Sequence, residues 1–231
     1  MQFLKSNNSS SHKCFFSGLT REQIVSLELE EIDTTYLRGD LIFREGTYPK
    51  SLFVVYRGAV KVHKYGDNGK EQITRLAQPG DLLGYRALLG NQPYKANATA
   101  LQETKVFKIP GKSFINLLKT NADFSFKVME LLSDDLKHAE DKLLNMAQKS
   151  VREKIAETLV LLYEKFGLDE SSAINSKLTR KEIGDIAGTT TESTIRTISD
   201  FNKENIVQIN GKKLIVNDIN LLKNELHNKI A

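Results

Sequence analysis

Residues 189–196 read Thr-Thr-Thr-Glu-Ser-Thr-Ile-Arg. They crowd short hydrogen-bonding side chains, one carboxylate and one guanidinium into the first two turns of what reads as a helix. A helix chosen for stability alone would carry more Ala, Leu, Lys and Glu there. A helix whose N-terminal half enters a groove of duplex DNA wants small polar residues, because the major groove presents donors and acceptors on the edge of every base pair. The chemistry that suits this stretch is hydrogen bonding to nucleic acid rather than the making or breaking of bonds.

The elements that must position it lie on either side. Thr179 is followed three residues later by Glu182, the spacing of a capping box, and Ile183, Ile186 and Ala187 then share one helical face. Gly188 follows, where a chain leaving a helix takes a positive φ without a Cβ clash. The second helix starts within Thr189–Glu192, and Ile195, Ile198 and Phe201 are expected to face inward. Ile206–Ile209 and Lys213–Val216 are β-prone runs around Asn210-Gly211, the strongest short hairpin signal. Helix, turn, helix and hairpin describe a winged helix-turn-helix whose second helix enters the major groove. Such corners also occur as plain packing elements in helical proteins. The content of the second helix favours DNA.

Bulk composition adds little to that reading. The chain has 231 residues, 40% apolar and 27% charged, with a net charge of +4. These are ordinary values for a folded protein, and the charge tolerates a polyanionic partner without demanding one. Between Ser176 and Ala231 nine Lys/Arg stand against seven Asp/Glu, so the case for DNA rests on pattern. Cys14 is the single cysteine. It excludes an intrachain disulfide, a cysteine zinc site and a four-cysteine iron–sulfur cluster within one chain. Residues 1–14 are polar, lack the apolar core of a signal peptide and are expected to be disordered. The absence of an apolar run of about 18 residues argues against a membrane span and for a cytoplasmic protein.

The first half has a different texture. Thr20 and Gln23 repeat the capping-box spacing and open a helix expected to run to about Leu29. From Thr34 to Ile109, short β-prone runs alternate with turn residues: Leu41–Phe43, Leu52–Tyr56, Ala59–Tyr65, Glu71–Leu76, Thr99-Ala100 and Lys105–Ile109. That spacing predicts an antiparallel sandwich or barrel, and its glycines read as turn makers rather than a phosphate loop. A single helical stretch is expected from Gly111 to Lys149. In it Met129, Leu136 and Leu143 recur every seven residues, and Leu132, Ala139 and Met146 repeat the period offset by three. This is an a/d seam of nearly three heptads. It could pack on the chain's own β-domain, but pairing with a twofold mate suits a helix-turn-helix protein that reads two half-sites. A further helix is expected over Arg152–Phe166, with Ile155, Leu159, Leu162 and Phe166 in register.

The fold class is therefore α+β: an N-terminal antiparallel β jelly roll over residues 15–110, a long dimerisation helix over 111–150 and a C-terminal winged helix-turn-helix over 151–231. In this order of elements the chain resembles the cyclic-AMP receptor protein / fumarate–nitrate regulator (Crp/Fnr) family of bacterial transcription factors, over nearly all of its length after Phe15. The most specific pieces are Gly80-Asp81-Leu82-Leu83-Gly84, at the start of the family's ligand cassette, and Leu178–Arg196. The resemblance implies that Glu192 and Arg196 read bases, that Thr190 is the hydroxyl residue opening the recognition helix, and that Thr179 and Arg180 lie near the phosphate backbone. Thr191, Ser193 and, in the hairpin turn, Lys212 complete the expected DNA contacts. A Glu can accept from cytosine N4, and an Arg can bond guanine O6 and N7 together. The same spacing also suits a helix ion pair, and Glu192 could instead close a capping box with Thr189. The cyclic-AMP receptor has an Arg where this chain has Thr191, so the half-sites should overlap only in part. The resemblance further implies a homodimer on double-stranded DNA, contact with RNA polymerase and no enzymatic activity.

The ligand cassette departs from the family's pattern. Members that bind cyclic AMP place a Glu after the cassette glycine, an Arg-Ser pair on the phosphate and a Thr-Ser pair on the adenine. Here Gly84 is followed by Tyr85, Arg86, Ala87 and Leu88, the phosphate pair reads Lys95-Ala96, and the adenine pair reads Ala139-Glu140. Lys lacks the planar fork that grips a phosphate bidentately. Cyclic AMP is therefore not the expected effector. Arg86 could restore a cation, and the pocket is expected to hold another small molecule or none. The iron–sulfur version of the family needs more than one Cys. Two other readings are a cyclic-nucleotide regulatory module whose winged helix binds protein, and a cupin-type metalloenzyme. The latter needs several converging His, and of His12, His63, His138 and His227 only His63 falls in the β-domain.

Overall fold

The structure is a computed structural model that describes residues 19–28, 30–31 and 35–226. The disordered segment expected over 1–14, with His12 and Cys14, and His227 lie outside the described residues. In chain order the elements are α1 (Arg21–Ser26), β1 (Glu30–Glu31), β2 (Leu41–Phe43), β3 (Ser51–Arg57), β4 (Val60–Tyr65), β5 (Glu71–Ala77), β6 (Leu82–Leu83), α2 (Tyr85–Leu89), β7 (Asn97–Ala100), β8 (Lys105–Pro110), α3 (Gly111–Thr120), α4 (Ala122–Gln148), α5 (Val151–Phe166), α6 (Arg180–Ala187), α7 (Thr191–Lys203), β9 (Val207–Asn210), β10 (Lys213–Val216) and α8 (Ile219–Asn224). The described residues divide into two compact units, those up to 65 with 74–136, and 66–73 with those from 137 onward.

The β-prone runs form two four-stranded sheets, ordered β1-β8-β3-β6 and β2-β7-β4-β5. Side chains alternate between the faces of a strand. Accordingly Leu52 and Val54 of β3 enter one core cluster with Ile109, Phe114 and Phe124, whereas Val55 enters a second with Val60, Ala98 and Val106. Phe114 and Phe124 meet edge to face at 5.6 Å. The first helix is shorter than its pattern suggested, and it keeps both hydrogen bonds of the Thr20/Gln23 capping box.

The single helix expected from Gly111 to Lys149 is two. Asn121 takes an extended conformation (φ −133°, ψ 104°), and its side-chain oxygen accepts from the backbone N–H of Phe124 at 2.9 Å. The amide side chain thus stops one helix and caps the next without a proline or glycine. The break lets Phe114 of α3 and Phe124 of α4 enter the same core.

In the second unit, α5 opens on the capping box of Ser150 and Glu153 and buries Ile155, Leu159 and Leu162, while Phe166 is half-buried. Arg152 donates to Glu225 at 2.6 Å and lies 4.6 Å from the Phe201 ring centroid. A guanidinium on an aromatic face gains from the ring quadrupole and from partial desolvation. β9 and β10 pair antiparallel with Asn210 opposite Lys213, so Gly211 and Lys212 form the hairpin turn.

Candidate nucleic-acid interface

The start of α6 is built as its sequence dictates. The Thr179 side chain accepts from the Glu182 N–H at 3.2 Å, and the Glu182 carboxylate accepts from the Thr179 N–H at 2.9 Å. Thr179 is exposed and Arg180, the first helical residue, is half-buried. Burial holds the Arg180 guanidinium below its usual range. Arg180 and the exposed Lys212 are brought together, since both line one hollow with Ser176 and Leu178.

The turn between α6 and α7 depends on two glycines. Gly188 ends α6 at φ +69°, a left-handed conformation that costs other residues about 1–2 kcal/mol. At Gly184 an added Cβ would lie 2.7 Å from the Thr194 hydroxyl, so only a glycine lets α7 cross α6 this closely. The Thr194 hydroxyl donates to the Thr190 carbonyl at 2.8 Å. A hydroxyl satisfied within its own helix can be buried, and Thr194 is fully buried.

α7 starts at Thr191 with Thr190 as N-cap, its side chain accepting from the Ser193 N–H at 3.1 Å. The inner face of α7 is Thr194, Thr197, Ile198 and Phe201, and Ile195 is 50% exposed. The inward placement expected for Ile195 is thus wrong: two threonines take the buried positions beside Ile198. The outer face carries Glu192, Ile195 and Arg196, with Thr191 and Ser193 half-exposed beside them. The Glu192 carboxylate is held below its usual range by its own backbone N–H and by the Thr190 hydroxyl, so it is an ionised acceptor at the positive end of the helix. Among the described residues Arg196 has no ion-pair partner, and the helix ion pair with Glu192 is not formed. Two opposite charges, free of each other, project from one outward face.

In the ligand cassette the residue after the glycine turns inward. Gly84 at φ +85° caps α2, and Tyr85 is buried. Its hydroxyl donates to the Asp135 carboxylate of α4, and the Arg75 guanidinium lies 5.9 Å from the ring centroid while donating to the Leu82 carbonyl at 3.1 Å. Burial pushes the Tyr85 phenol far above its usual range. Arg86 and Lys95 are exposed, and Ala87, Leu88 and Ala96 are half-buried. The cation on the Tyr85 ring is Arg75, and the exposed Arg86 adds a second, weaker positive charge to its surroundings. Sequence reasoning missed Arg75 and Asp135 because β5, α2 and α4 are distant in the chain and no local pattern joins them. The residues that would hold a cyclic nucleotide do not fit one: the ribose-binding carboxylate is a buried tyrosine, and the phosphate pair offers one exposed ammonium and a methyl group.

Along α4, Met129, Leu136, Leu143 and Met146 are 56%, 61%, 72% and 40% exposed. Ala139 is exposed, and Leu132 turns partly into the core of the first unit. His63 is buried with its Nε2 2.8 Å from the Thr99 hydroxyl. Among the described residues no cluster of three or more His, Cys, Asp and Glu could hold a metal ion, and no helix is long and apolar enough to cross a membrane.

A winged helix-turn-helix that follows two β-sheets and a long helix in the chain, with an outward Glu and Arg, defines a class: DNA-binding regulators with a cyclic-nucleotide-type fold. Comparison with known proteins agrees. Residues 33–121 match the cyclic nucleotide-binding domain, and residues 153–225 match the Crp-like helix-turn-helix domain. Electron transport regulator A of Shewanella oneidensis is 30% identical over 84% of this chain and 82% of its own. Regulatory protein HlyX of Actinobacillus pleuropneumoniae is 27% identical over 91% of this chain and 89% of its own. The solved structure of FixK2 from Bradyrhizobium japonicum shares the fold with a TM-score of 0.76 at 23% identity, over 85% of this chain and 96% of that one. The chain belongs to the Crp/Fnr family of transcription regulators.

Proposed function

We propose that the protein acts in the cytoplasm as a homodimer that reads an inverted-repeat operator, with α7 of each subunit in the major groove. The observation that carries this reading is the outer face of α7, where Glu192 and Arg196 are exposed and unpaired with each other. Glu192 accepts from cytosine N4 and Arg196 bonds guanine O6 and N7. Thr179, Arg180 and Lys212 contact phosphates and set the register of the docked helix, and Thr190, Thr191 and Ser193 line the groove. The exposed apolar strip of Met129, Leu136, Leu143 and Met146, with Ala139 and the half-buried Leu132, forms the dimer seam. The protein has no catalytic role, and it acts on transcription through RNA polymerase. Cyclic AMP is not its effector, because Tyr85, bonded to Asp135 and beside Arg75, stands where cyclic-AMP-binding members carry a Glu, and Lys95-Ala96 where they carry Arg-Ser.

Selection of bound duplexes from a random pool tests the reading. The expected product is an inverted repeat with half-site centres about 34–36 Å apart, one duplex turn. A G·C pair should appear in each half beside the pair read by Glu192. Recovery of unrelated sequences, or of unpaired half-sites, contradicts it.

A further inference from the structure

We infer that Ile195 reads the C5-methyl group of a thymine next to the base pairs read by Glu192 and Arg196. The inference rests on the base-reading role proposed above for α7.

Ile195 follows Glu192 by three residues and precedes Arg196 by one, so the three side chains lie on one arc of the helix. They are the exposed residues of its first two turns. Ile195 keeps 50% of its surface exposed, while the polar Thr194 and Thr197 on either side are buried. Half of the isoleucine's surface thus has no partner within the fold. Local stability does not account for it, because a β-branched residue is a weaker helix former than Ala, Leu or Lys. A lone exposed apolar residue on an ordinary surface has no meaning, but this one stands between an acceptor and a donor that face the same way.

The major groove is lined by hydrogen-bonding groups with one apolar exception, the methyl of thymine. An isoleucine there can make no hydrogen bond, so it strips water from any other base edge without replacing what it removes. Against a thymine methyl it gains the burial of two apolar groups. The preference thus has an attractive part, toward thymine, and a repulsive part, against the exposed amino group of cytosine or adenine.

The test changes the DNA and leaves the protein intact. In the selected operator, each thymine of the half-site is replaced in turn by deoxyuracil, which differs only in lacking the methyl. At one position the wild type should lose about 4-fold in affinity for one half-site, the equivalent of one buried methyl, and about 15-fold when both halves are changed. Ile195→Ala should bind the thymine and uracil operators alike while keeping its thermal transition, since the side chain is outside the core. Uracil tolerance at every thymine overturns the inference, as does an undiminished uracil penalty in Ile195→Ala. Either result leaves base reading by Arg196 standing if Arg196→Ala still loses preference at its own guanine. Failure to select any operator sinks the base-reading role and this inference together.

Discussion

Replacing Leu136 by Glu tests the seam of α4 on the strength of its exposure. Leu136 is 61% exposed in the isolated chain, so its burial is available to a partner rather than already used by the fold. Burying a leucine completely is worth about 1.5–3 kcal/mol. The exposed share is then about 1–2 kcal/mol per copy and, with a twofold seam, about 2–4 kcal/mol per dimer. That corresponds to a dimer dissociation constant weakened about 30- to 1000-fold. The introduced carboxylates add to this, because each meets its own copy in a dry, like-charged seam. Sedimentation should show a monomer at concentrations where the wild type is a dimer, and operator affinity should fall with it. The thermal transition of the monomer should hardly move, since the substituted side chain points to solvent. A dimer of undiminished affinity would refute the assignment of the seam.

Four other measurements report on separate parts of the account. Arg180→Ala should weaken binding to all duplexes alike and lower the slope of log K against log salt by about one per lost phosphate contact; a change in preference at a single base would mean that Arg180 reads sequence. Tyr85→Phe removes a hydrogen bond to an ionised carboxylate, and because Asp135 is only half-buried and can rehydrate, the loss measured by denaturant unfolding should sit near the lower end of the range for such bonds, about 1.5 kcal/mol. Calorimetry with cyclic AMP at physiological concentration should show no saturable binding, and micromolar binding matched by a gain in operator affinity would overturn the reading of the cassette. Lys142 donates to the Ile73 carbonyl at 2.7 Å, and burial holds its ammonium down to about 8 against the pull of Glu157. A lysine whose folded pKa is depressed binds its proton more weakly in the fold, so it contributes stability as pH rises from about 8 to its unfolded value near 10.4. Over that window the unfolding free energy of wild type minus Lys142→Met should rise by at most about 1.4 kcal/mol per pH unit, and a flat difference contradicts the burial.

The DNA-binding half was legible because its instructions are local. Thr179 with Glu182, and Asn210-Gly211, act within a few residues, and the structure has the capping box where the sequence puts it and the hairpin with its turn one residue later, at Gly211-Lys212, because Asn210 still pairs with Lys213. The burial of α7 was less legible, since helical spacing alone puts Ile195 and Ile198 on neighbouring lines. What decides between them is the hydroxyl of Thr194, which bonds back to the Thr190 carbonyl and so enters the α6 contact that Gly184 leaves open. The break at Asn121 carried no proline or glycine to announce it. The altered cassette was legible only as missing family residues. Its Tyr85–Asp135 bond and the Arg75 cation arise from long-range packing, which no local pattern encodes.

The central claim is that the outer face of α7 reads bases, one position for each side chain. Competition binding of wild type, Glu192→Ala and Arg196→Ala against every single-base variant of the selected operator tests it most directly. The account predicts that each variant loses discrimination, worth about 1–3 kcal/mol per bidentate contact for Arg196, at its own base pair in both half-sites and nowhere else. Equal loss of affinity for the operator and for its scrambled version would contradict it, because side chains that touch only the backbone carry no sequence information.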